Sequence, residues 1–374
     1  MILFRYLAKE ILLTLFAVSA TLLVIVMSGR FVKYLAEAAS GDLAPDVVFS
    51  IMAYRLPSFL ELVLPLGLLI AILLAYGRLY VESEMTVMSA CGLSTRRLAV
   101  FTLVPASAVA LLVLGLSLYA SPLGIAKVQE IFQDAKNSSG LEMLVAGRFR
   151  IDKKSGRVTY VERLDDKQVM EEVFSAEQSK DKHDDKLSVV LAERATIQNI
   201  EQHSGRYLVL ENGFQYLGKP GSQELRVTKF DQFGQLIKQA KSSSNIYKKA
   251  DARSTEQLLA STKLEDKATL QWRFSLGILV PIVALIAQAL SQTNHRRGRY
   301  VKMLPAFLIY IIYIVLLSAA RDGIEKGQIP LEWGMWWVHG IFLIIALCLL
   351  FGADVWRRLR SQSAAMTASS TAEQ

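Results

Sequence analysis

Six stretches of this chain are long, apolar and almost free of charge, and they fall in two groups of three around a region of different character. The runs cover residues 11–27, 56–76, 98–126, 274–292, 303–320 and 333–353. Each is close to or above the roughly 20 residues a helix needs to cross a hydrocarbon layer. The third is longer than one crossing and predicts a helix that projects past the bilayer. Prolines at 57, 65, 122, 281 and 305 lie in or beside these runs, as membrane helices tolerate. The first run is read as a span and not a cleaved leader. Ala36-Glu37-Ala38 has the spacing of a cleavage site, but the run exceeds a usual leader's apolar core, and Arg30 and Lys33 intervene.

Between the two groups, residues 127–269 carry dense, nearly balanced charge and short runs rich in Val, Tyr, Phe, Leu and Thr: 157–162, 169–176, 187–200, 206–217 and 225–236. Polar clusters such as Asp165-Asp166-Lys167 and Asn212-Gly213 read as turns between them. This predicts one soluble all-β domain, a sandwich, jelly roll or partial barrel. Residues 242–262 read as a polar linker or helix leading back to the membrane, and the Ser-, Ala- and Thr-rich stretch after Arg360 as a disordered tail. The predicted fold is an integral membrane α-helical protein with a 3 + 3 set of spans and an inserted jelly-roll-like all-β domain. Its parts are spans one to three at 1–126, the β domain and linker at 127–269, spans four to six at 270–360, and the tail at 361–374.

Positive charge orients the spans. Arg5 and Lys9 precede the first, Arg78, Arg96 and Arg97 flank the second loop, Arg296, Arg297, Arg299 and Lys302 fill the loop between spans four and five, and Arg357, Arg358 and Arg360 follow the sixth. One alternating topology puts all of these inside, so both termini are expected in the cytoplasm and the β domain outside.

Composition narrows the function. The 374 residues are 52% hydrophobic, too apolar for an ordinary soluble protein, and the net charge of +8 comes mostly from residues at the ends of apolar runs, which argues against nucleic acid. The two cysteines, Cys91 and Cys348, suggest no disulfide framework, and the four scattered histidines suggest no metal site. No Walker A, G-x-G-x-x-G or G-x-S-x-G pattern occurs, so catalytic residues and cofactors are expected to be none, and any ATP must be hydrolysed by another chain.

The loop at 79–94, LYVESEMTVMSACGLS, is the most unusual short connector. Glu82 and Glu84 open it, Gly92 closes it, and Val81, Met85 and Met88 recur at helical spacing. Acid early and glycine late are start and stop chemistry for a helix of about three turns. Such a helix at a membrane face is a knob suited to a groove in a partner, with methionines that adapt in shape and a carboxylate able to pair with an arginine. The plain alternative is a solvated connector.

Three cations lie at predicted outer span ends. Arg30 and Lys33 are three apart and share a side of a continuing helix, and Arg321 follows the fifth span. Each would attract an anionic headgroup by roughly 1 kcal/mol, although ordinary snorkelling of flanking cations gives the same pattern. Asp322 is placed to offset Arg321. Glu61, near the outer end of span two, is read as a headgroup-level residue, with a cavity-lining carboxylate as the alternative.

Several of these residues carry a resemblance. Glu84, Ala90, Gly92, Leu93 and Ser94, with Arg5-Tyr6-Leu7 and Glu10, Leu64-Pro65-Leu66, Arg296 and Gly298-Arg299, resemble the YjgP/YjgQ (LptF/LptG) permeases of lipopolysaccharide export over nearly the whole chain. The resemblance implies a subunit of an ABC transporter in the bacterial inner membrane with a periplasmic β domain. It implies pairing with a second, LptG-like permease, a dimeric LptB-like cytosolic ATPase and a single-span LptC-like partner docked edge-to-edge on the β domain. It further implies that Glu82, Glu84, Met85, Met88 and Gly92 belong to an ATPase-coupling helix, and that Arg30, Lys33 and Arg321 face lipopolysaccharide. In the family, lysine can stand where this chain has Arg321.

Three other classes compete. A self-powered transporter or channel places ionisable groups mid-membrane, where this chain has few beyond Glu61 and His339. A membrane-anchored scaffold needs neither six spans nor an acidic inner helix. An intramembrane enzyme needs a nucleophile–base pair or metal motif, and none is recognisable.

Overall fold

A computed structural model describes residues 2–39, 43–137, 146–151, 156–165, 169–178, 186–200, 205–222, 224–237, 250–292 and 302–352. The predicted loop cations at 296, 297 and 299 and the predicted tail after Arg360 lie outside these residues.

The apolar runs fold as helices, and the first two helices far outrun theirs. Helix α1 spans Ile2–Ala39 and α2 spans Val47–Val81. At 1.5 Å per residue each is more than about 50 Å long, well beyond a hydrocarbon core of about 30 Å. A short α3 covers Glu84–Ala90. Next come α4 at Thr95–Gly115, a π-helical turn at Leu116–Ala120 and α5 at Ser121–Asn137. After the β domain a 3-10 turn at Ala250–Ala252 leads into α6, Thr255–Ala260, then α7, Leu264–Ser291, and α8, Met303–Glu325. The last described helix, α9, is Trp336–Gly352. Among the described residues five helical runs are long and apolar enough to cross a membrane, α4 to α5 counting as one continuous run over Thr95–Asp134, and α9 is apolar but shorter. Trp333 and Trp336 at its start are exposed, while Trp337 packs on the core.

Contacts divide the chain into two units, one drawn from Met1–Arg30, Met52–Val128 and Tyr247–Gln374, the other from Phe31–Ile51 and Gln129–Ile246. In the first, α7 is the central helix. Its most apolar window is 72% buried against 17% for α1, so α7 is read as packed inside protein and α1 as facing outward. Polar bonds index the helices to one another: Tyr76 to Thr102 at 2.7 Å joins α2 to α4, and the Tyr310 hydroxyl donates to the Leu62 carbonyl at 3.5 Å. Gln271 donates to the Leu331 carbonyl and accepts from the Met335 amide, tying α7 to the approach to α9. Inside a membrane such bonds have no water to compete with, so they specify which helices meet.

In the second unit six strands form one antiparallel sheet in chain order: β1 Arg148–Ile151, β2 Val158–Leu164, β3 Met170–Gln178, β4 Leu187–Ile200, β5 Gly205–Gly218 and β6 Leu225–Ile237. The inserted all-β domain is therefore present, and the five predicted strands fall within a residue or two of β2 to β6. The order is a meander; among the described strands no Greek-key crossover of a complete jelly roll occurs.

The strands do not alternate in and out throughout. Val161, Val173, Ala192 and Gly213 form one buried row with Phe230, and Met170, Ala195 and Leu210 form the next with Phe233. Between those rows each strand turns two successive residues away from the core: Glu162-Arg163, Glu171-Glu172, Glu193-Arg194, Glu211-Asn212 and Asp231-Gln232. A pleat of period two cannot do this without a local twist. Glu172 and Asn212 supply it with φ of 54° and 49°. The predicted Asn212-Gly213 turn is thus corrected: Asn in its permitted left-handed region creases β5 instead of closing a hairpin.

Close packing gives a test. A Cβ on Gly124 of α5 would sit 2.0 Å from the Tyr54 carbonyl oxygen of α2, whereas a Cβ on Gly115 of α4 meets nothing. Gly124→Ala is expected to lower stability by about 1–3 kcal/mol through overpacking, and Gly115→Ala to be neutral or slightly stabilising. Thermal unfolding of the purified variants in detergent checks the contrast, and equal midpoints would refute the α2–α5 packing.

Candidate functional site

The turn between α2 and α4 is built from helix stop and start signals. Residue Ser83, with φ of 62°, breaks away from α2 before Glu84 opens α3. At the other end the Leu93 amide donates to the Met88 carbonyl and the Gly92 amide to the Ser89 carbonyl, both at 3.0 Å, with Gly92 at φ 95°. That is a Schellman stop, which needs a residue comfortable in the left-handed region. Two residues on, the Ser94 hydroxyl accepts from the Arg97 amide and caps α4. The run Ala90 to Ser94 therefore halts one helix and starts the next within five residues, fixing α3 at a set angle to both neighbours.

Helix α3 has 7 residues, two turns and not the three expected, because Val81 ends α2 and does not share its face. Met85 is also corrected as a docking residue. It is 1% exposed and packs in the core that contains Leu7, Ile11 and Leu79, so it anchors α3 to its own chain. Met88 is half-buried against the same core. The apolar side chain turned outward is Val87, which sequence spacing did not single out. Glu82 is exposed and 3.9 Å from Arg78. Glu84 accepts a 2.9 Å hydrogen bond from the Tyr6 hydroxyl of α1. A salt bridge of 2.8 Å joins Arg78 of α2 to Glu10 of α1. Nothing in the local pattern signals these links, since the partners are 78 and 68 residues apart.

The candidate lipid-facing cations are in unlike surroundings. Arg30 and Lys33 are both exposed on α1, and the Arg30 guanidinium lies 5.7 Å from the Phe59 ring centre. Arg321 is engaged within the chain. It donates to Glu325 at 2.8 Å, to Asp251 at 2.7 Å and to Thr269 at 3.1 Å, and sits over the Trp272 ring. The expectation that Asp322 offsets it is corrected, because Asp322 pairs with Lys326 one turn on.

Beside Arg321 lies a second arginine that sequence reading passed over. Arg273, 3% exposed, donates to Thr255 at 2.9 Å and to the backbone carbonyls of Arg253 at 2.7 Å and Asp251 at 3.1 Å. The Thr255 hydroxyl in turn donates to the Leu118 carbonyl in the π-helical turn, and Arg253 pairs with the fully buried Asp266. Two arginines thus clasp the segment 251–255 onto α7 and α8. Of the stretch read as a polar linker or helix, residues 242–249 lie outside the described residues; 250–262 include α6 and are fixed structure, because a planar guanidinium can satisfy several oxygens at once. Glu61 is 9% exposed and accepts from Ser121 at 3.2 Å, with Ser58 bonded to Ser121, so its carboxylate is turned into the protein. His339 is buried against the Tyr313 hydroxyl at 2.6 Å.

Apolar helices of membrane-spanning length, an inserted antiparallel β domain and a short helix between two sharp helix signals are the parts of a multi-pass membrane protein. The family described as "Lipopolysaccharide export system permease LptF/LptG" matches residues 5–351, and the chain belongs to it. Two of its relatives, each named lipopolysaccharide export system permease protein LptF, come from Escherichia coli (strain K12) and Shigella flexneri. Both are 30% identical over 367 residues, covering 96% of this chain and 98% of the relative.

Replacing Arg273 with Met leaves the carbonyls it held without their donor. Backbone amides of Thr255–Ala260 are expected to exchange hydrogen several-fold faster in Arg273→Met, with exchange in α4 unchanged, as a local loss of about 1–3 kcal/mol requires. Mass-resolved hydrogen exchange on the wild type and the variant reads this directly.

Proposed function

We propose that the chain is the permease subunit of an ATP-driven extractor that lifts lipopolysaccharide from the outer leaflet of the inner membrane and passes it to a periplasmic β-jelly-roll bridge. The observation that carries the reading is α3, held at a fixed angle by the Schellman stop and the Ser94 cap, with Glu84 and Val87 turned away from the core. ATP hydrolysis belongs to a separate cytosolic ATPase dimer of the LptB kind, and α3 with Glu82, Glu84, Met88 and Gly92 is the element it grips. Met85 serves that contact indirectly by seating α3. Both termini are cytoplasmic and the β domain is periplasmic, in accord with the distribution of Lys and Arg.

The lipid is handled by this chain together with a second, LptG-like permease. Arg30 and Lys33, exposed on α1, meet its phosphates, and desolvated apolar walls take its acyl chains. Arg321 belongs to the same rim, where lipid competes with Asp251 and Glu325 for the guanidinium. A single-span LptC-like partner adds a strand to the sheet at β1 or β6, the edge strands among the described residues. A self-powered transporter gains no support from the buried ionisable groups: Glu61 is bonded to Ser121 and His339 to Tyr313.

Glu84→Ala at native expression is expected to reduce the amount of nucleotide-binding partner that co-purifies with the chain and to lower export. Full co-purification and normal viability would remove the coupling role. Arg30→Ala/Lys33→Ala is expected to leave the assembly intact while cutting lipopolysaccharide-stimulated ATP hydrolysis. Unchanged lipid crosslinking in that variant would return both residues to ordinary snorkelling.

A further inference from the structure

We infer that Tyr6 is a positioning residue for Glu84: it holds one carboxylate oxygen so that the other is presented, already oriented, to a cationic side chain of the ATPase. The inference rests on the reading of Glu84 as the contact with that partner, and it adds to the coupling element a residue on a different helix.

The geometry has three parts. The Tyr6 hydroxyl donates to Oε2 of Glu84 at 2.9 Å, and Glu84 itself is only half-buried. The donor is on a fixed support. Leu7, the next residue, is fully buried, as is Ile11 one turn later, and both share a core with Leu79 and Met85. Glu10, one turn from Tyr6, is bound to Arg78 at 2.8 Å, which fastens the start of α1 to the end of α2. The first turns of α1, the end of α2 and all of α3 are therefore one cross-braced block, with the hydroxyl of Tyr6 as its polar contact to Glu84.

A glutamate on a two-turn helix at an aqueous face samples many rotamers, and docking onto a partner arginine must freeze them. Holding Oε2 beforehand removes part of that cost, while Oε1 remains for the partner; preorganisation raises affinity without adding a contact. A tyrosine hydroxyl suits the task. It is neutral, so it does not cancel the charge an arginine seeks, and its aromatic ring brings the donor to reach on a stiff arm with few rotatable bonds.

The test is a double-mutant cycle on the assembled permease pair in detergent, with the purified ATPase subunit titrated onto it. Tyr6→Phe removes only the hydroxyl. It is expected to weaken docking roughly three- to tenfold, the effect of one partly exposed hydrogen bond to a charged group. It should have no further effect in the Glu84→Ala background. Assembly of the Tyr6→Phe chain with the second permease and its thermal unfolding midpoint should match the wild type, which a merely damaged permease would not allow. Three outcomes overturn the inference while sparing the role of Glu84: docking unchanged in Tyr6→Phe, docking tightened because the hydroxyl sequesters Glu84, or equal weakening with and without Glu84. Undiminished docking of Glu84→Ala alone would instead overturn the coupling role itself.

Discussion

A hydrocarbon layer offers no water to a peptide group, and most of this architecture follows from that one constraint. Each crossing segment must satisfy its own backbone, so the chain inside the membrane is helix and little else. Polar recognition is then pushed to the helix ends and to the few places where the ladder is disturbed. Both places of interest here obey this. The α2–α4 turn assembles at helix ends, and the arginine clasp meets the π-helical turn, where the Leu118 carbonyl accepts the Thr255 hydroxyl. On the proposed reading the chain receives work at one end of its helices and holds a charged lipid at the other, and helix ends are where side chains are left free to do so.

Much of this was legible in the sequence because long apolar runs and short runs of β-favouring residues between polar turn clusters are local signals. The apolar runs marked the helices, and Val-, Tyr- and Leu-rich stretches marked β2 to β6. The limits of elements were less legible. Helix α1 extends to Ile2–Ala39 because a helix need not stop where hydrophobicity does. Strand β1, four residues long, was too short to stand out. Glu84 and Gly92 were visible by type and spacing. The inward turn of Met85 was not, since a periodic apolar stripe does not say whether it faces its own core or a partner. Long-range polar pairs were the least legible. Tyr6 with Glu84, Glu10 with Arg78, and Arg321 with Asp251 each depend on which helices become neighbours, and nothing in a local window encodes that.

Arg321 shows what those pairs change. From sequence it was a lone cation at a span end. In the fold it has two carboxylates, a hydroxyl and an indole around it, and it shares Asp251 with Arg273, whose bonds go to the Asp251 backbone. A headgroup phosphate would have to outcompete ligands already paid for in folding, whereas Arg30 and Lys33 need surrender far less. The three cations are chemically alike and physically unequal.

The crease in the sheet carries a consequence for how such a domain can change over time. Every strand from β2 to β6 spends two residues at the same level before its apolar side resumes. Lengthening a hairpin connection leaves that level untouched. Deleting a single residue beside it in one strand would turn half of that strand inside out against four neighbours that had not moved. The loops are thus free to drift in length while the crease is locked as a set of five, a fixed latitude on an otherwise adjustable surface.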